Sequence, residues 1–327
     1  MNRRQIRFSF CINDSSFYVL SRPCNCHEGG SSSLQCHLNT GICTCKANAE
    51  GNKCEMCKNG TYNSDPNNPD GCSPCFCFGR SNVCSSAQGF VKSNITADFS
   101  EGNYYNVDTS GNITIKSWDD GDTLEIKFTP DSFINLTLTE KFEGNQLHSY
   151  GQLLEITMTY PDVDSLNATW NVSLTNTNRK TAYFNIVPQP SLSNTQYHAR
   201  LHEHYTLDNI TAYELQSILA NIATVEIRGS FKANGSVKIK VQLVSATKGV
   251  GEEVGFVENC TCPNNYTELS CGFCSSGKAD RQLNNGHTCS FGSLSSLCGN
   301  YVFPSADRRV PSQSHWFQLN FHLLLCD

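Results

Sequence analysis

The sequence predicts a mainly β protein: disulfide-rich modules with an inserted, jelly-roll-like β-sandwich that carries one short helix. Three observations lead there. Of 19 cysteines in 327 residues, twelve lie in residues 11–84 and seven in 260–326, so the 175 residues of 85–259 have none. A skeleton C-x-C-x8-C-x2-C occurs twice, at 43–57 and at 260–274, and each copy runs fourteen residues on to another cysteine, Cys72 or Cys289. The cysteine-free stretch alternates apolar and polar residues with period two, the mark of half-buried antiparallel strands.

Residues 1–23 open with the basic stretch "MNRRQIRF", but Asn13, Asp14, Ser15 and Ser16 interrupt the apolar run that a secretory leader needs. The expectation is a piece of a longer secreted protein, or an incompletely read gene. Residues 24–74 form the first cysteine-rich module, with Cys24, Cys26 and Cys36 ahead of the repeated skeleton. Residues 75–84 hold Cys75, Cys77 and Cys84, a spacing of C-x-C-x6-C that is close to the C-x-C-x9-C of Cys24, Cys26 and Cys36. Joined to Cys260, Cys262, Cys271, Cys274 and Cys289 in residues 260–289, they complete a second eight-cysteine module, split after its third cysteine. Residues 290–327 match no pattern, and Cys11, Cys298 and Cys326 have no assigned partner.

Two chemistries compete for these cysteines. "CEMC" (54–57) and "CSPC" (72–75) spell C-x2-C-x14-C-x2-C, a spacing that suits tetrahedral zinc. The later copy lacks a second C-x2-C, and zinc leaves Cys24, Cys26, Cys36, Cys43, Cys45, Cys77 and Cys84 unexplained. Glycan acceptor triplets stand at Asn13, Asn59, Asn94, Asn112, Asn135, Asn167, Asn171, Asn209, Asn234, Asn259 and Asn265. Spacing and acceptors agree on an oxidising, secreted setting with bridged, metal-free cysteines.

Residues 85–259 build their own core. "TLEIKF" (123–128), "INLTLT" (134–139), "LEITMTY" (154–160), "WNVSL" (170–174) and "VKIKVQL" (237–243) alternate as strands, with Asn135 and Asn171 on polar faces. "NITAYELQSILANIA" (209–223) differs: Thr211 and Glu214 make a capping-box signature, and Leu215, Ile218, Leu219 and Ile222 have helical spacing. The two ends of this insert must lie close together, because both join one small module.

Other functions find little support. A net charge of −6 implies no basic surface for nucleic acid. No stretch has the length and apolarity of a membrane span. No nucleophile elbow, P-loop or HExxH is present, and bridged cysteines are not nucleophiles, so no enzyme is expected and no cofactor. His198, His202 and His204 in "YHARLHEHY" would share one face of a strand, but no nearby carboxylate or cysteine completes a metal-ligand set. Asp119, Asp120 and Asp122 in "WDDGDT" read as a turn with too few oxygen ligands for calcium. Because jelly rolls often bind sugars, Tyr104, Tyr105 and Trp118 are the candidate aromatic platform for a carbohydrate.

The eight-cysteine spacing resembles the laminin-type EGF-like module, and a module split after its third cysteine to hold a globular domain resembles the laminin IV type A arrangement. Within the insert, "SYGQLLEI" (149–156), "RLHEHY" (200–205), "VEIRGSF" (225–231) and "VENCTCP" (257–263) are similar to a laminin gamma short arm; laminin alpha chains and perlecan-type proteoglycans share the architecture. The resemblance implies pairing of first with third, second with fourth, fifth with sixth and seventh with eighth cysteine. Carried over, these are Cys24–Cys36, Cys26–Cys43, Cys45–Cys54 and Cys57–Cys72, then Cys75–Cys84, Cys77–Cys260, Cys262–Cys271 and Cys274–Cys289. Spacing alone does not choose among the possible pairings. The second module departs from the first at Glu268, which stands where Gly51 would take a left-handed turn that a side chain resists. The resemblance further implies a secreted, structural basement-membrane protein that assembles with other laminin chains through regions outside this sequence, and with other matrix proteins. "NSDPNNP" (63–69) is similar to the segment by which a laminin gamma module binds nidogen, but it lies between the seventh and eighth cysteines, so a turn and not a nidogen site is expected.

Overall fold

The computed structural model describes residues 23–100, 105–118, 120–138, 140–161, 166, 168–188, 191, 195–275, 278–283 and 286–291. The candidate residues Cys11, Asn13, Tyr104, Asp119, Asn167, Cys298 and Cys326 lie outside the described residues, as do residues 1–22 and 292–327.

Among the described residues the insert holds two antiparallel sheets. Its strands are β1 (Phe90–Thr96), β2 (Tyr105–Ser110), β3 (Thr114–Ser117), β4 (Leu124–Phe128), β5 (Phe133–Leu138), β6 (Leu153–Thr159), β7 (Ala168–Asn176), β8 (Thr181–Asn185), β9 (Gln196–Arg200), β10 (Ile222–Phe231) and β11 (Gly235–Lys248). One sheet has the order β3–β4–β11–β6–β9, and β1 also pairs with β11; the other has the order β8–β7–β10–β5–β2. At fourteen residues, β11 is long enough to serve two neighbours on one edge. Its first half pairs with β4 (Val237 opposite Ile126) and its second with β1 (Ala246 opposite Lys92), while β6 runs along its other edge (Val241 opposite Ile156).

The period-two pattern explains the sandwich. Leu124, Ile126 and Phe128 are buried while Lys127 is exposed; Ile134, Leu136 and Leu138 and then Leu154, Ile156 and Met158 repeat the arrangement. Each such side chain contributes about 1.5–3 kcal/mol by leaving water. Phe128 and Phe231, from opposite sheets, stack with centroids 3.8 Å apart, and Trp170 meets Phe231 edge-on. Trp170 lies directly opposite Gly229, where an added Cβ would be 2.6 Å from the indole ring. Only glycine leaves room for that ring. Its Nε1–H donates to the buried Tyr160 hydroxyl at 3.0 Å, so the indole carries no unsatisfied donor.

The helix α1 (Ala212–Leu219) begins with both halves of the capping box: Glu214 N–H donates to Thr211 Oγ1 (3.2 Å), and Thr211 N–H donates to the Glu214 carboxylate (3.0 Å). Leu215, Ile218 and Leu219 are buried. Ile222 does not extend the helix. It opens β10, exchanging both backbone hydrogen bonds with Gly144. Sheet pairing overrides helical spacing there, since the chain from Ile222 also alternates.

The first module is three short hairpins, Ser31–Cys36 with Cys43–Cys45, Ala49–Glu50 with Met56–Cys57, and Thr61–Ser64 with Cys72–Pro74. Its small core is Cys43, Ala49 and Cys54, packed by Cys26, Cys36 and Cys45, so cystine takes the place of aliphatic side chains. Glu268 does adopt the left-handed turn that its Cβ disfavours: its φ is 69°, against 97° at Gly51. Cys54 N–H donates to Gly51 O and Cys271 N–H to Glu268 O, both at 3.2 Å, so the same cystine loop, with a sequence separation of 9, imposes the same turn in both modules. A non-glycine residue there costs about 1–2 kcal/mol.

Candidate functional site: the joint between modules and insert

The insert's ends are brought together by a three-residue antiparallel ladder of Cys84–Ser86 with Glu258–Cys260, in which Cys84 lies opposite Cys260. Cys77 is bonded to Cys260 with Cα atoms 5.8 Å apart, across a sequence separation of 183. The other bonds of the split module are Cys75–Cys84, Cys262–Cys271 and Cys274–Cys289, and those of the first are Cys24–Cys36, Cys26–Cys43, Cys45–Cys54 and Cys57–Cys72. Cys289 sits in a hairpin of Lys278–Leu283 with Gly286–Phe291.

Glu258 is the polar centre of this joint. It is 6% exposed, and its carboxylate accepts from Phe76 N–H at 2.9 Å and from Cys77 N–H at 3.3 Å. It thereby ties the strand leaving the sandwich to the first half of the split module. Burial raises its pKa, and hydrogen bonds from Ser270 and from the two backbone amides oppose that shift. Arg80 packs over the Tyr266 ring at 4.1 Å and donates to Cys271 O, joining the two halves of the module again. Phe76 is buried against Phe78 and Tyr213, at 4.7 and 5.2 Å between centroids, which seats the module on α1.

The first module also docks on the insert. The Tyr62 hydroxyl, on a buried ring, donates to Phe256 O at 3.1 Å; burial and then the Glu258 charge raise its pKa. The "NSDPNNP" stretch is a turn closed by its own bonds: Asp65 Oδ1 accepts from Asn67 N–H (2.8 Å), and the Lys46 ammonium donates to Pro66 O (3.0 Å) and Asn68 O (2.9 Å). The turn aims Asp70 at the insert, where its carboxylate meets His204 Nε2 at 2.8 Å.

The three histidines do not share a strand face. β9 ends at Arg200; His198 lies on it, His202 is buried beyond its end, and His204 is in a 3-10 turn, Glu203–Tyr205. Two carboxylates lie near His202 in space: its sequence neighbour Glu203 and, from the first module, Asp70. Asp120 caps a turn. Its Oδ1 accepts from Thr123 N–H (3.0 Å), and its Oδ2 accepts from Thr123 Oγ1 (2.8 Å) and Lys240 Nζ (2.9 Å). Those bonds, the Lys240 one foremost, hold its pKa down to about 2. Trp118 is exposed, but the Lys238 ammonium sits 3.9 Å from its ring centroid and covers one face of the platform. Tyr105 is on β2, on the other sheet from the one bearing β3, after which Trp118 follows. Of the glycan candidates, Asn59, Asn94, Asn112, Asn171, Asn209, Asn234, Asn259 and Asn265 are exposed, and Asn135 is half-buried on β5. Glu258, Asp70 and Arg80 went unmarked in the sequence, as did the contact that Tyr62 makes. Each acts across more than 130 residues, and no local pattern announces that.

Comparison with known proteins places the parts in families. Residues 24–72 match the laminin EGF domain, and residues 135–258 match laminin B (domain IV). The chain is 33% identical over 314 residues to laminin subunit gamma-3 of Homo sapiens and to laminin subunit gamma-1 of Danio rerio, in each case over 78% of this chain and 20% of the relative. It is 27% identical over 288 residues to the basement membrane-specific heparan sulfate proteoglycan core protein of Mus musculus, over 78% of this chain and 7% of that one. The chain thus spans about a fifth of the length of those laminin relatives. With a split module closed by a cystine around a domain-IV sandwich, and with these relatives, the chain belongs to the laminin family as a gamma-chain-like short-arm segment of laminin EGF and domain IV modules.

Proposed function

We propose that this segment is a non-enzymatic structural element of an extracellular basement-membrane matrix: a cystine-stiffened rod with a globular domain fixed to its side. The observation that carries the reading is the joint. Both ends of the sandwich enter one module, closed by Cys77–Cys260 and Glu258, and the preceding module adds Tyr62 and Asp70 as further contacts. A domain held at several points keeps its orientation, whereas a domain on one linker swings. In this reading the units are residues 24–74, a split module of 75–84 with 260–289, and the sandwich of 85–259. The eight bonds described above are the native pairing, and the exposed acceptor asparagines carry glycans. Partners are other laminin chains, through regions outside this sequence, and other matrix proteins. Secretion fits the cystines; among the described residues no helix is long and apolar enough to cross a membrane.

The test is solution scattering with negative-stain imaging of the chain produced in a secretory host. The expected particle is a short rod with one lateral globe at a fixed angle. A broad distribution of globe positions would overturn the fixed-knob reading. A non-reducing peptide map checks the pairing independently; a peptide linking Cys77 to Cys84 would overturn the split module.

A further inference from the structure

Asn259 is the middle residue of the strand Glu258–Cys260 that closes the joint, and it lies opposite Ser85. Alternation along that strand sends Glu258 inward, where it is buried, and Asn259 outward, where it is exposed. Asn259, Cys260 and Thr261 spell an N-linked glycan acceptor. The acceptor does not stand on open surface. Asn259 lines a groove of about 580 Å³ between the sandwich and the second half of the split module.

The groove has two kinds of wall. Phe78, Phe90 and Phe273 supply aromatic rings. Phe273, on the short strand Phe273–Cys274, is 59% exposed, an aromatic side chain that the fold leaves uncovered. Lys248, at the end of β11, and Glu268 supply exposed charged groups. A pyranose suits such walls. Its C–H face is apolar and stacks on aromatic rings, while its hydroxyl and acetamido groups take hydrogen bonds. The volume falls within the range of about 300–1,000 Å³ typical of small-ligand sites, so the first sugars of a glycan have room.

On the secreted, glycosylated reading of the chain, we propose that Asn259 carries an N-linked glycan whose first N-acetylglucosamine residues lie in this groove, stacked on Phe273, and fasten the second half of the split module to the sandwich. In the transfer, Asn259 Nδ2 bonds to the anomeric carbon of the sugar. The bond from that carbon to the pyrophosphate of a lipid-linked carrier breaks, and the amide gives up one proton as the pyrophosphate leaves. The transfer precedes closure of the joint, because the triplet must be presented as a free, extended segment and its middle residue, Cys260, ends bonded to Cys77. Attachment at the rim of the groove keeps the sugar at a local concentration that no free saccharide reaches. Glycan and cystine then secure the same strand from adjacent residues.

The test is glycopeptide mass spectrometry of the chain from a secretory host, followed by hydrogen exchange of variants. Asn259 should be occupied. Asn259→Gln and Thr261→Ala remove the same glycan at different residues, and each should quicken exchange across residues 268–272 by about tenfold. Asn234→Gln, on the turn between β10 and β11, should leave that segment unchanged. Phe273→Ser should quicken the same segment with the glycan still attached, and adding Thr261→Ala to it should change little more, because both act through one contact. Asn259, Thr261 and Phe273 are all exposed, so the variants keep the fold. Occupancy of other acceptors with Asn259 bare would overturn the proposal and leave the secreted reading standing, whereas no occupied acceptor anywhere would overturn both. Unchanged exchange on loss of the glycan would also overturn it, as would fully additive effects of Phe273→Ser and Thr261→Ala.

Discussion

Replacing Cys77 and Cys260 together by serine tests how the insert is fastened. The bridge closes a loop with a sequence separation of 183, for which the chain-entropy relation gives about 5 kcal/mol against the fully unfolded chain. That is an upper bound, because a compact unfolded state has less entropy to lose. While the sandwich is folded, however, the ladder already holds Cys84 opposite Cys260. Cys75–Cys84 also ties that end to a point two residues from Cys77, so the bridge then restrains only a very short path and contributes about 2 kcal/mol or less. The double variant should therefore keep a folded sandwich with a lower melting point, by about 10–20 °C at the upper bound for a domain of this size. Its local effect should appear at the joint. Hydrogen exchange should quicken at Glu258–Cys260 and across residues 266–275, while β10 and β11 stay protected. Loss of the cooperative transition would refute the reasoning, since the sandwich would then depend on the bridge. An unchanged melting point and unchanged exchange would refute it too, since the bond would then restrain nothing.

Glu258→Ala strips the acceptor from two buried amides, Phe76 N–H and Cys77 N–H, and should cost about 2–4 kcal/mol in chemical denaturation. The pH dependence of the same residue has a definite sign. Its folded pKa is raised above the unfolded value of 4.5, so its contribution is fully present below about pH 4.5 and is lost as pH rises through the folded pKa. Wild type minus Glu258→Gln should accordingly be more favourable to wild type at pH 4 than at pH 7 in matched thermal melts. Gly229→Ala pushes a Cβ into the Trp170 ring and should cost about 1–3 kcal/mol, visible as a lower urea midpoint with an altered near-ultraviolet signal.

The strands legible in the sequence were those that bury one face, such as β4, β5, β6, β7 and β11, because alternation is a local record of burial. The capping box at Thr211 and Glu214 was legible for the same local reason. The end of that helix was not, since Ile222 fits both a helical stripe and a strand, and the choice rests with Gly144, far away in sequence. Edge strand β9 has a weak pattern, which also allowed three histidines to be read onto one face. The split module was legible because cysteine spacing survives an insertion of any length. The joint's polar contacts were hidden because Asp70, Glu258 and Tyr62 are ordinary surface-type residues until the fold buries or pairs them.

The position of the insert has a mechanical consequence. Both of its ends lie in one module, and Cys77–Cys260 joins that module's halves directly. Tension applied along the rod, from the first module toward Cys289, therefore passes through the sulfur–sulfur bond and leaves residues 78–259 outside the load path. The sandwich can be large without weakening the rod. Without the bridge, the same tension would enter through the short ladder of Cys84–Ser86 with Glu258–Cys260, and then pull β1 from β11. Single-molecule extension of the chain held outside the two modules should distinguish these paths. The oxidised wild type should show no unfolding step from the sandwich at any force that leaves cystines intact. The Cys77→Ser, Cys260→Ser variant should show one added step of about 600 Å, the span of the released loop at roughly 3.5 Å per residue. A step of that size in the oxidised wild type would mean that the sandwich, and not the bond, carries the load.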